Sequence, residues 1–516
     1  MTSAEAALEP GAGGLRFASS AGRWVLLATV LGSGLAQLDA TVVTVALPAI
    51  GSELDARVSG LQLVITSYSI TLAALILLAG ALGDRVGRRR VFVIGVVWFV
   101  VASLACAVAP SLTVLVIARA LQGVGAALLT PGSLAIIEAS FRPDDRSRAI
   151  GAWAALGGVA AAIGPLVGGY LIEAISWRAI FLINVPLGAA VVWTAARHVP
   201  ETRDPLAAGR LDVAGAALVT LGLAGATYAL VELPERGLGF APAVAAGVAG
   251  TVALAAFLAL ERRVANPMLP LAAFASRQFA AANLVCLALY AGLGGVFFLL
   301  VVYLQVSLGY SPLEAGAAEL PVTVLMLALS TSAGALAQRI GPRIPLTVGP
   351  LVSALGVLML TTIEPGDTYV GAVLPAISVF GLGLAITVAP VTATALAAVD
   401  DRHSGAASGI NNAVSRAAGL LAVALLPPLA GLSGDDFADP GALAAGLRVA
   451  MLITAGLMVA AAVVAWATIR NDVLAAASAE AEEARPVDHL RNCAYDAAPL
   501  RPARPVSARA SSARPE

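Results

Sequence analysis

Charged side chains are scarce in this sequence, and lysine is absent altogether. Only 12% of the 516 residues are charged, whereas a soluble domain carries about 25%. The 31 basic residues are all arginines, and hydrophobic residues make up 59% of the chain. This composition excludes an ordinary soluble protein and predicts a protein of the membrane.

Cysteine and histidine are too few and too scattered to form a disulfide framework or a metal site. The cysteines are Cys106, Cys286 and Cys493, and their spacing matches no metal-ligand pattern. The phosphate-binding motif Gly-x-x-x-x-Gly-Lys-Ser/Thr is missing, which excludes an ATP-driven pump of that type. No zinc motif or catalytic nucleophile motif appears. We therefore expect no enzyme, no metal and no bound cofactor.

Fourteen apolar runs of membrane-spanning length follow one another along the chain. An α-helix needs about 20 apolar residues to cross a bilayer, and none of these runs alternates as the strands of a membrane barrel would. The predicted spans are 24–49, 60–82, 91–109, 112–137, 148–173, 178–196, 213–231, 240–260, 279–304, 315–338, 344–363, 369–397, 405–430 and 447–469. The sequence thus predicts an all-α polytopic membrane protein.

The arginines are distributed unevenly between the two sides of these spans. Twenty-five lie on the side of the Arg85–Arg90 loop, and only four lie on the other side. Because short basic loops stay in the cytoplasm, this bias predicts that both termini are cytoplasmic. A missed span would invert all later loops and remove the bias, so the bias also supports the count of fourteen.

The turn after the second span recurs in the second half of the chain. Residues 80–89 realign without gaps on residues 334–343, and both segments follow the second span of a six-span block. Two repeated six-helix bundles with a substrate between them are typical of transporters. The predicted parts are an N-terminus at 1–23, bundles at 24–196 and 279–470, a connection at 197–278 with two inserted helices at 213–231 and 240–260, and a disordered cytoplasmic tail at 471–516.

The loop between the second and third spans combines glycines, arginines and one acid. The residues that match the signature G-x-L-x-D-R-x-G-R-R of the major facilitator superfamily are Gly80, Leu82, Asp84, Arg85, Gly87, Arg88 and Arg89. By this resemblance the set, apart from Leu82, forms a latch between the two bundles of a major facilitator fold. An ordinary topology-setting loop would explain the arginines but not the acid or the glycines. The second copy has Gln338 in place of Asp84, so the latch is one-sided.

Two opposite charges, Asp39 and Arg119, stand inside the first and fourth predicted spans. Charges at this depth are costly and mark functional sites by default. Counting the helical rise from the ends of the spans places both residues at similar depth, in the outer half of the membrane. We hypothesise a proton-coupled site in which protonation of Asp39 frees Arg119 and shifts the conformational equilibrium. A permanent ion pair that only holds the two spans together is the alternative.

The sequence around these charges resembles motifs of the fourteen-span drug:proton antiporters, a family of multidrug exporters. The first span reads L-D-x-T-V-V-T-V-A-L-P from Leu38, with Thr44 where that family usually has Asn. The fourth span reads R-x-x-Q-G-x-G from Arg119 and includes Gln122. Thr44 keeps a hydrogen-bonding side chain, so the substitution would alter substrate fit more than coupling.

The fifth span carries a glycine pattern that resembles the antiporter motif associated with export. Gly164, Pro165, Gly168 and Gly169 match the motif, and Ala160 replaces its first glycine. Small residues at positions 164 and 168 predict close helix approach, which is also the plain structural explanation. A further segment from Trp177, which includes Asn184, resembles the same family.

Polar and aromatic residues inside the spans are candidates for lining a substrate cavity. The candidates are Gln37, Thr44, Tyr68, Gln122, Asn283, Tyr290, Phe298, Glu319, Asn411, Asn412 and Arg416. Glu319 would either meet a cationic substrate or be an interfacial acid, and we slightly favour the latter. Arg416 would either bind an anionic group or pair with an acid elsewhere.

The sequence therefore predicts a secondary active transporter that exports amphipathic drugs or toxic organic compounds across the plasma membrane in exchange for protons. The expected partners are a small organic substrate, protons and the lipid bilayer, without nucleic acid, and a monomer is expected. The few membrane charges favour lipophilic neutral or monocationic substrates over dications. The alternatives are a dedicated exporter of one endogenous metabolite or antibiotic, and a non-transporting membrane sensor or scaffold.

Overall fold

The computed structural model describes residues 14–203, 212–264, 269, 271–364, 366–399 and 404–474. Within these residues the chain is α-helical, with short 3₁₀ and π segments and one isolated bridge between Leu15 and Phe141. Residues 1–13 of the predicted N-terminus and residues 475–516 of the predicted disordered tail lie outside the described part. The bundle boundaries predicted from the sequence stay predictions.

Sixteen α-helices follow one another along the described chain. The first seven are α1 (Ser20–Leu54), α2 (Val58–Val86), α3 (Arg88–Ala107), α4 (Leu112–Ser140), α5 (Pro143–Ala174), α6 (Ala179–Leu182) and α7 (Asn184–His198). The inserted pair is α8 (Val213–Arg236) and α9 (Ala241–Glu261). The last seven are α10 (Arg277–Val306), α11 (Pro312–Ala318), α12 (Leu320–Ile340), α13 (Arg343–Leu360), α14 (Leu374–Ala397), α15 (Ser404–Leu429) and α16 (Pro440–Thr468).

These helices form fourteen candidate membrane spans in the described residues, as the sequence predicted. The short helices α6 and α11 join α7 and α12 to form the sixth and tenth spans. Several spans begin earlier than predicted, and at two of them a capping residue precedes the helix. The side chain of Ser19 accepts a hydrogen bond from the backbone of Gly22 at the start of α1, and Asp439 caps α16 in the same way.

One glycine explains how α3 can follow α2 without a connecting loop. Gly87 separates the two helices and has a φ of +131°, a backbone conformation that side-chain-bearing residues rarely adopt. The turn therefore needs glycine at this position of the signature pattern. A side chain there would also collide with the carboxylate of Glu201.

Successive spans run in opposite directions, so α1 begins and α16 ends at the same face of the molecule. We call this the terminal face and the other one the opposite face. The two bundles, α1–α7 and α10–α16, contact each other near the opposite face. Gln62 donates from Nε2 to the carbonyl of Val423 at 2.6 Å. Gln305 donates from Nε2 to the carbonyl of Val45 at 3.0 Å. These bonds hold the two bundles together at the opposite face.

The inserted helix α8 packs against α2 of the first bundle and α15 of the second. Near its end, Glu235 accepts hydrogen bonds from the backbone N–H of Ser59 at 3.0 Å and from that of Gly434 at 3.1 Å. The hydroxyl of Ser59 donates to the second oxygen of the same carboxylate at 3.0 Å. The inserted pair therefore bridges the two bundles at the opposite face.

Candidate functional site

A cavity of about 550 Å³ lies between the two bundles, a volume suited to a drug-sized molecule. Helices α1, α2 and α5 line one side of the cavity, and α10, α11, α12, α14 and α15 contribute to the other. The predicted cavity residues found in its wall are Gln37, Thr44, Tyr68, Tyr290, Phe298, Glu319, Asn411, Asn412 and Arg416. The geometry thus brings most of the sequence candidates together in one place.

Two candidates lie elsewhere. Gln122 is fully buried among the helices of the first bundle and does not line the cavity. Asn283 donates to the carbonyl of Phe279 at 2.9 Å and accepts a hydrogen bond from Asn411 at 3.3 Å, behind the cavity wall. Both expectations were wrong because the sequence fixes the depth of a residue but not the face of the helix on which it lies.

Glu319 occupies a break between α11 and α12, where it precedes the first residue of α12. Its side chain lines the cavity and is only 5% exposed. The favoured interpretation of an interfacial acid is therefore wrong. The depth expected for Glu319 was close to that observed, but the side chain faces the cavity and not the membrane interface.

The buried pair of Asp39 and Arg119 is the other prominent feature of the site. A guanidinium nitrogen of Arg119, Nη1, lies 2.5 Å from Oδ2 of Asp39. Their side chains are 0% and 1% exposed. The matching depths predicted from the sequence thus correspond to a direct ion pair between α1 and α4.

Amide side chains from two helices, α4 and α7, also donate hydrogen bonds to the Asp39 carboxylate. Gln122 donates to Oδ1 at 2.8 Å, and Asn184 on α7 donates to the same oxygen at 2.9 Å. Both amides also donate to the hydroxyl of Ser103, at 3.2 Å and 2.9 Å. Every oxygen of this buried carboxylate therefore has a donor, which is the condition under which a charge is tolerated in a low-dielectric interior.

The sequence reasoning assigned no site role to Asn184 or Ser103. The family-like segment that begins at Trp177 was a usable signal for Asn184, because it marks this residue in the sixth span. No sequence pattern singled out Ser103. Its hydroxyl donates to the carbonyl of Phe181 at 3.0 Å, which fixes the orientation of the acceptor that both amides use.

Tyr68 separates the charge pair from the cavity. The guanidinium carbon of Arg119 lies 4.3 Å from the centre of the Tyr68 ring, and the same residue lines the cavity. Its hydroxyl donates to the carbonyl of Ala36 at 3.3 Å. A ligand in the cavity would therefore contact the same aromatic side chain as the buried arginine.

The glycines of α5 allow contacts with both bundles. Side chains at Gly164 and Gly168 would collide with Thr41 and Val42 of α1. A side chain at Gly169 would lie 2.6 Å from the backbone nitrogen of Leu313 in the second bundle. The predicted close approach of α5 is thus present, and it extends from α1 to α11. Pro165 lies between these contacts and lines the cavity.

The signature loop makes its polar contacts within the first bundle and the segment that follows it. Asp84 pairs with Arg88 at 2.8 Å, and Arg88 donates to the carbonyl of Ala135 at 3.3 Å. Arg89 donates to the carbonyl of Val199 at 3.0 Å. Gly80 faces Pro131 of α4, and Arg85 is half-buried at the end of α2. In this conformation the predicted latch residues bond to no residue of α10–α16 in the described chain.

Two helical bundles around a central cavity, with a coordinated charge pair inside one of them, define a membrane transporter. The chain belongs to the Major Facilitator Superfamily, whose sequence profile matches residues 29–423. This confirms the resemblance found in the signature loop and the expectation of a transporter rather than an enzyme. The protein is a multi-pass membrane protein that binds a small-molecule substrate.

Similar proteins include exporters and resistance proteins of bacteria. The chain is 36% identical over 479 residues to the puromycin resistance protein pur8 of Streptomyces alboniger, which covers 90% of this chain and 95% of the relative. It is 36% identical over 389 residues to the multidrug resistance protein Stp of Mycobacterium tuberculosis, covering 75% and 72% of the two chains. The fold matches the crystal structure of a bacterial homologue of the human lysosomal transporter Spinster with a TM-score of 0.62, at 18% identity, over 89% of this chain and 99% of that one.

Proposed function

We propose that this protein exports antibiotics or other amphipathic organic compounds across the plasma membrane in exchange for protons. The observation that carries the proposal is the buried pair of Asp39 and Arg119 behind the cavity wall. Relatives that match most of the chain are named as resistance proteins for one antibiotic or for several drugs. A drug-sized cavity beside a buried carboxylate supports the same function.

The proton site works through the loss of one charge. When Asp39 takes up a proton, Arg119 loses its ionic partner but keeps hydrogen bonds to Oε1 of Gln122 and to the carbonyl of Val64. An unpaired guanidinium in the interior is unfavourable, so the protonated state favours a different arrangement of α1 and α4. The proton thus changes the relative free energies of the two conformations.

Tyr68 connects the proton site to the substrate. A substrate that packs against the cavity side of its ring restricts the position that the ring can take over Arg119. Substrate binding and Asp39 protonation therefore favour different positions of the same side chains. Negative coupling of this kind between substrate and proton favours the exchange of one against the other.

The two conformations follow from the contacts between the bundles. The structure is closed at the opposite face by Gln62, Gln305 and Glu235. With both termini in the cytoplasm, as the arginine bias indicates, this is the state that opens toward the cell interior and takes up substrate there. The latch residues around Asp84 then engage the second bundle in the alternative, outward-open state.

The energy source in this proposal is the proton gradient, and no bound cofactor takes part. One chain supplies both walls of the cavity and the whole proton site, so a monomer is sufficient for transport.

A drug-susceptibility experiment tests the proposal. Bacteria lacking their own exporters would produce the protein, the variant Asp39→Asn, or the variant Glu138→Gln as a control on the exposed surface of α4. We expect wild type and control, but not Asp39→Asn, to raise the inhibitory concentration of several unrelated antibiotics. Resistance to a single compound would favour the dedicated exporter. Unchanged susceptibility with normal membrane levels would contradict export.

A further inference from the structure

Two charged side chains line the central cavity, and neither has a partner in the described protein. Oε1 of Glu319 has no hydrogen bond, and neither has Nε of Arg416, although both atoms are buried. Neither residue takes part in an ion pair with any described residue. The remaining described wall residues are uncharged.

The two cavity residues differ from Asp39, the buried carboxylate of the first bundle, in having no charged or amide partner. Around Asp39, the chain supplies an arginine and two amides to one carboxylate. A buried charge without such partners is unfavourable in a protein interior. The chain satisfies its buried charge in the proton site but leaves those of the cavity unsatisfied. Groups on a bound molecule are the natural partners of the two cavity charges.

The two charges occupy different depths. Glu319 follows Pro312, the first residue of its span, by seven positions, and Arg416 precedes Leu429, the last residue of its span, by thirteen. At 1.5 Å per residue, Glu319 and Arg416 lie about 10 Å and about 20 Å from the opposite face. The two residues therefore lie at different depths along the cavity wall.

The wall around each charge differs in character. Asn411, Asn412 and Ser415 share the helix of Arg416 and add hydrogen-bonding groups to that end of the cavity. Phe297 and Phe298 on α10 supply flat apolar surface. An anionic group is thus matched at the Arg416 end, an apolar body along α10, and a cationic group at Glu319.

We propose that the cavity selects zwitterionic amphipathic compounds, with a cationic amine for Glu319 and a carboxylate for Arg416, both attached to an apolar ring system. This inference rests on the proposed export function and names its substrate class. It replaces the expectation of a neutral or monocationic substrate, since a monocation would leave Arg416 without a partner.

Two dyes with one ring system provide the test. Rhodamine 110 carries a free carboxylate beside its cationic xanthene, and rhodamine 123 is its methyl ester, a plain monocation. Uptake of each dye would be measured in proteoliposomes containing the full chain, at equal pH gradients. We expect wild-type protein to transport rhodamine 110 with a Vmax/KM at least tenfold higher than that for rhodamine 123. Equal values for the two dyes would overturn the inference.

Variants at the two charges identify their separate contributions. Arg416→Gln should remove the preference for the acid over the ester, and Arg416→Lys should restore part of it. Glu319→Gln should weaken transport of both dyes through KM, because both carry the cation. Matched controls are Arg23→Gln and Glu138→Gln, which alter exposed residues away from the cavity. An unchanged dye ratio in Arg416→Gln would overturn the inference, and its recovery in Arg416→Lys shows that the site still folds.

The outcomes separate this inference from the proposed function. If wild-type protein moves both dyes against a gradient but does not distinguish them, export stands and zwitterion selection fails. If Glu319→Gln abolishes proton-driven uptake of both dyes at every concentration, Glu319 is a proton carrier and the assignment to a substrate cation is wrong. If the protein moves neither the dyes nor any antibiotic of the susceptibility panel, the proposed function itself fails.

Discussion

Asn184 donates a hydrogen bond from Nδ2 to Oδ1 of Asp39 at 2.9 Å, across the contact between α7 and α1. The acceptor is the carboxylate oxygen that Arg119 does not pair with, so the two oxygens have different partners. The same amide group also donates to Ser103 on α3. A single asparagine thus fixes the carboxylate relative to two helices of the first bundle, and we infer that it positions the proton site.

Replacing Asn184 should impair proton coupling more than it lowers the stability of the fold. A hydrogen bond to a charged group contributes about 1.5–3 kcal/mol, so Asn184→Ala should lower proton-driven efflux at least about tenfold. The measurement is efflux rate against pH, because a change in the shape of that profile reports on the proton site. A merely structural role would lower the amount of folded protein without altering the profile.

A matched control lies on the same helix. Thr194 is also buried in α7, but its hydroxyl donates only to the carbonyl of Ala190, at 2.7 Å. Thr194→Val should therefore leave the pH profile of efflux unchanged. If Thr194→Val and Asn184→Ala gave the same profile, Asn184 would have no special relation to Asp39.

Substitutions in the Asp39–Arg119 ion pair should affect stability and transport differently. Removing one partner of a buried pair costs about 3–5 kcal/mol because the other charge is left unpaired. Asp39→Asn should therefore lower the thermal stability of the purified protein, and the double variant Asp39→Asn, Arg119→Gln should recover most of it. Proton-driven efflux should be absent from both variants. Efflux that returned together with stability would identify the pair as a structural contact only.

The contact between α5 and α11 predicts a shift between conformations. A methyl group at position 169 would collide with the backbone of Leu313, so Gly169→Ala should disfavour closure at the opposite face. The carboxylate of Glu173 accepts a hydrogen bond from the backbone N–H of Leu313 at 3.0 Å, so the two positions are close in the closed state. The yield of the disulfide formed between Glu173→Cys and Leu313→Cys therefore measures that closure. We expect the crosslinking yield to fall severalfold in Gly169→Ala.

The same helix provides the control for this experiment. A Cβ atom at Gly157 would meet no atom within 4 Å. Gly157→Ala should therefore leave the crosslinking yield unchanged. An equal fall in both variants would show that α5 is sensitive to any added methyl group, which would contradict the specific role of position 169.

The inserted helices should influence the same equilibrium through Glu235. Its carboxylate accepts from Ser59 of the first bundle and from Gly434 of the second, and charge-assisted bonds of this kind contribute about 1.5–3 kcal/mol. Glu235→Ala should reduce the closed population about tenfold in the crosslinking assay. Glu232→Ala is the control, because Glu232 pairs with Arg236 of its own helix at 2.6 Å. Equal effects would exclude a bridging role for Glu235.

The contrast between correct and wrong predictions has a physical cause. Span count and the meeting of Asp39 with Arg119 depend on lengths and depths, which follow from the regular rise of a helix. The positions of Gln122 and Asn283 depend on which face of a helix meets a neighbour, and that is decided by packing between distant segments. The same holds for Glu319, whose depth was close to that expected but whose side chain faces the cavity.

The contacts of Glu235 lie beyond sequence reasoning for the same reason. Its carboxylate joins segments 176 and 199 residues away, and no local pattern marks either contact. The family resemblance located the motifs in their proper spans, but it did not indicate how the inserted helices pack. Only the arrangement of both bundles around α8 shows this bridge.

The most direct test of the central claim is proton movement driven by substrate. Proteoliposomes with a pH-sensitive dye inside would receive a transported antibiotic or rhodamine 110 outside, without an imposed pH gradient. In wild-type protein we expect substrate entry to be accompanied by proton exit and alkalinisation of the lumen. In Asp39→Asn the lumenal pH should stay constant. Substrate entry through wild-type protein at constant lumenal pH, or equal alkalinisation in Asp39→Asn, would contradict the assignment of Asp39 as the proton site.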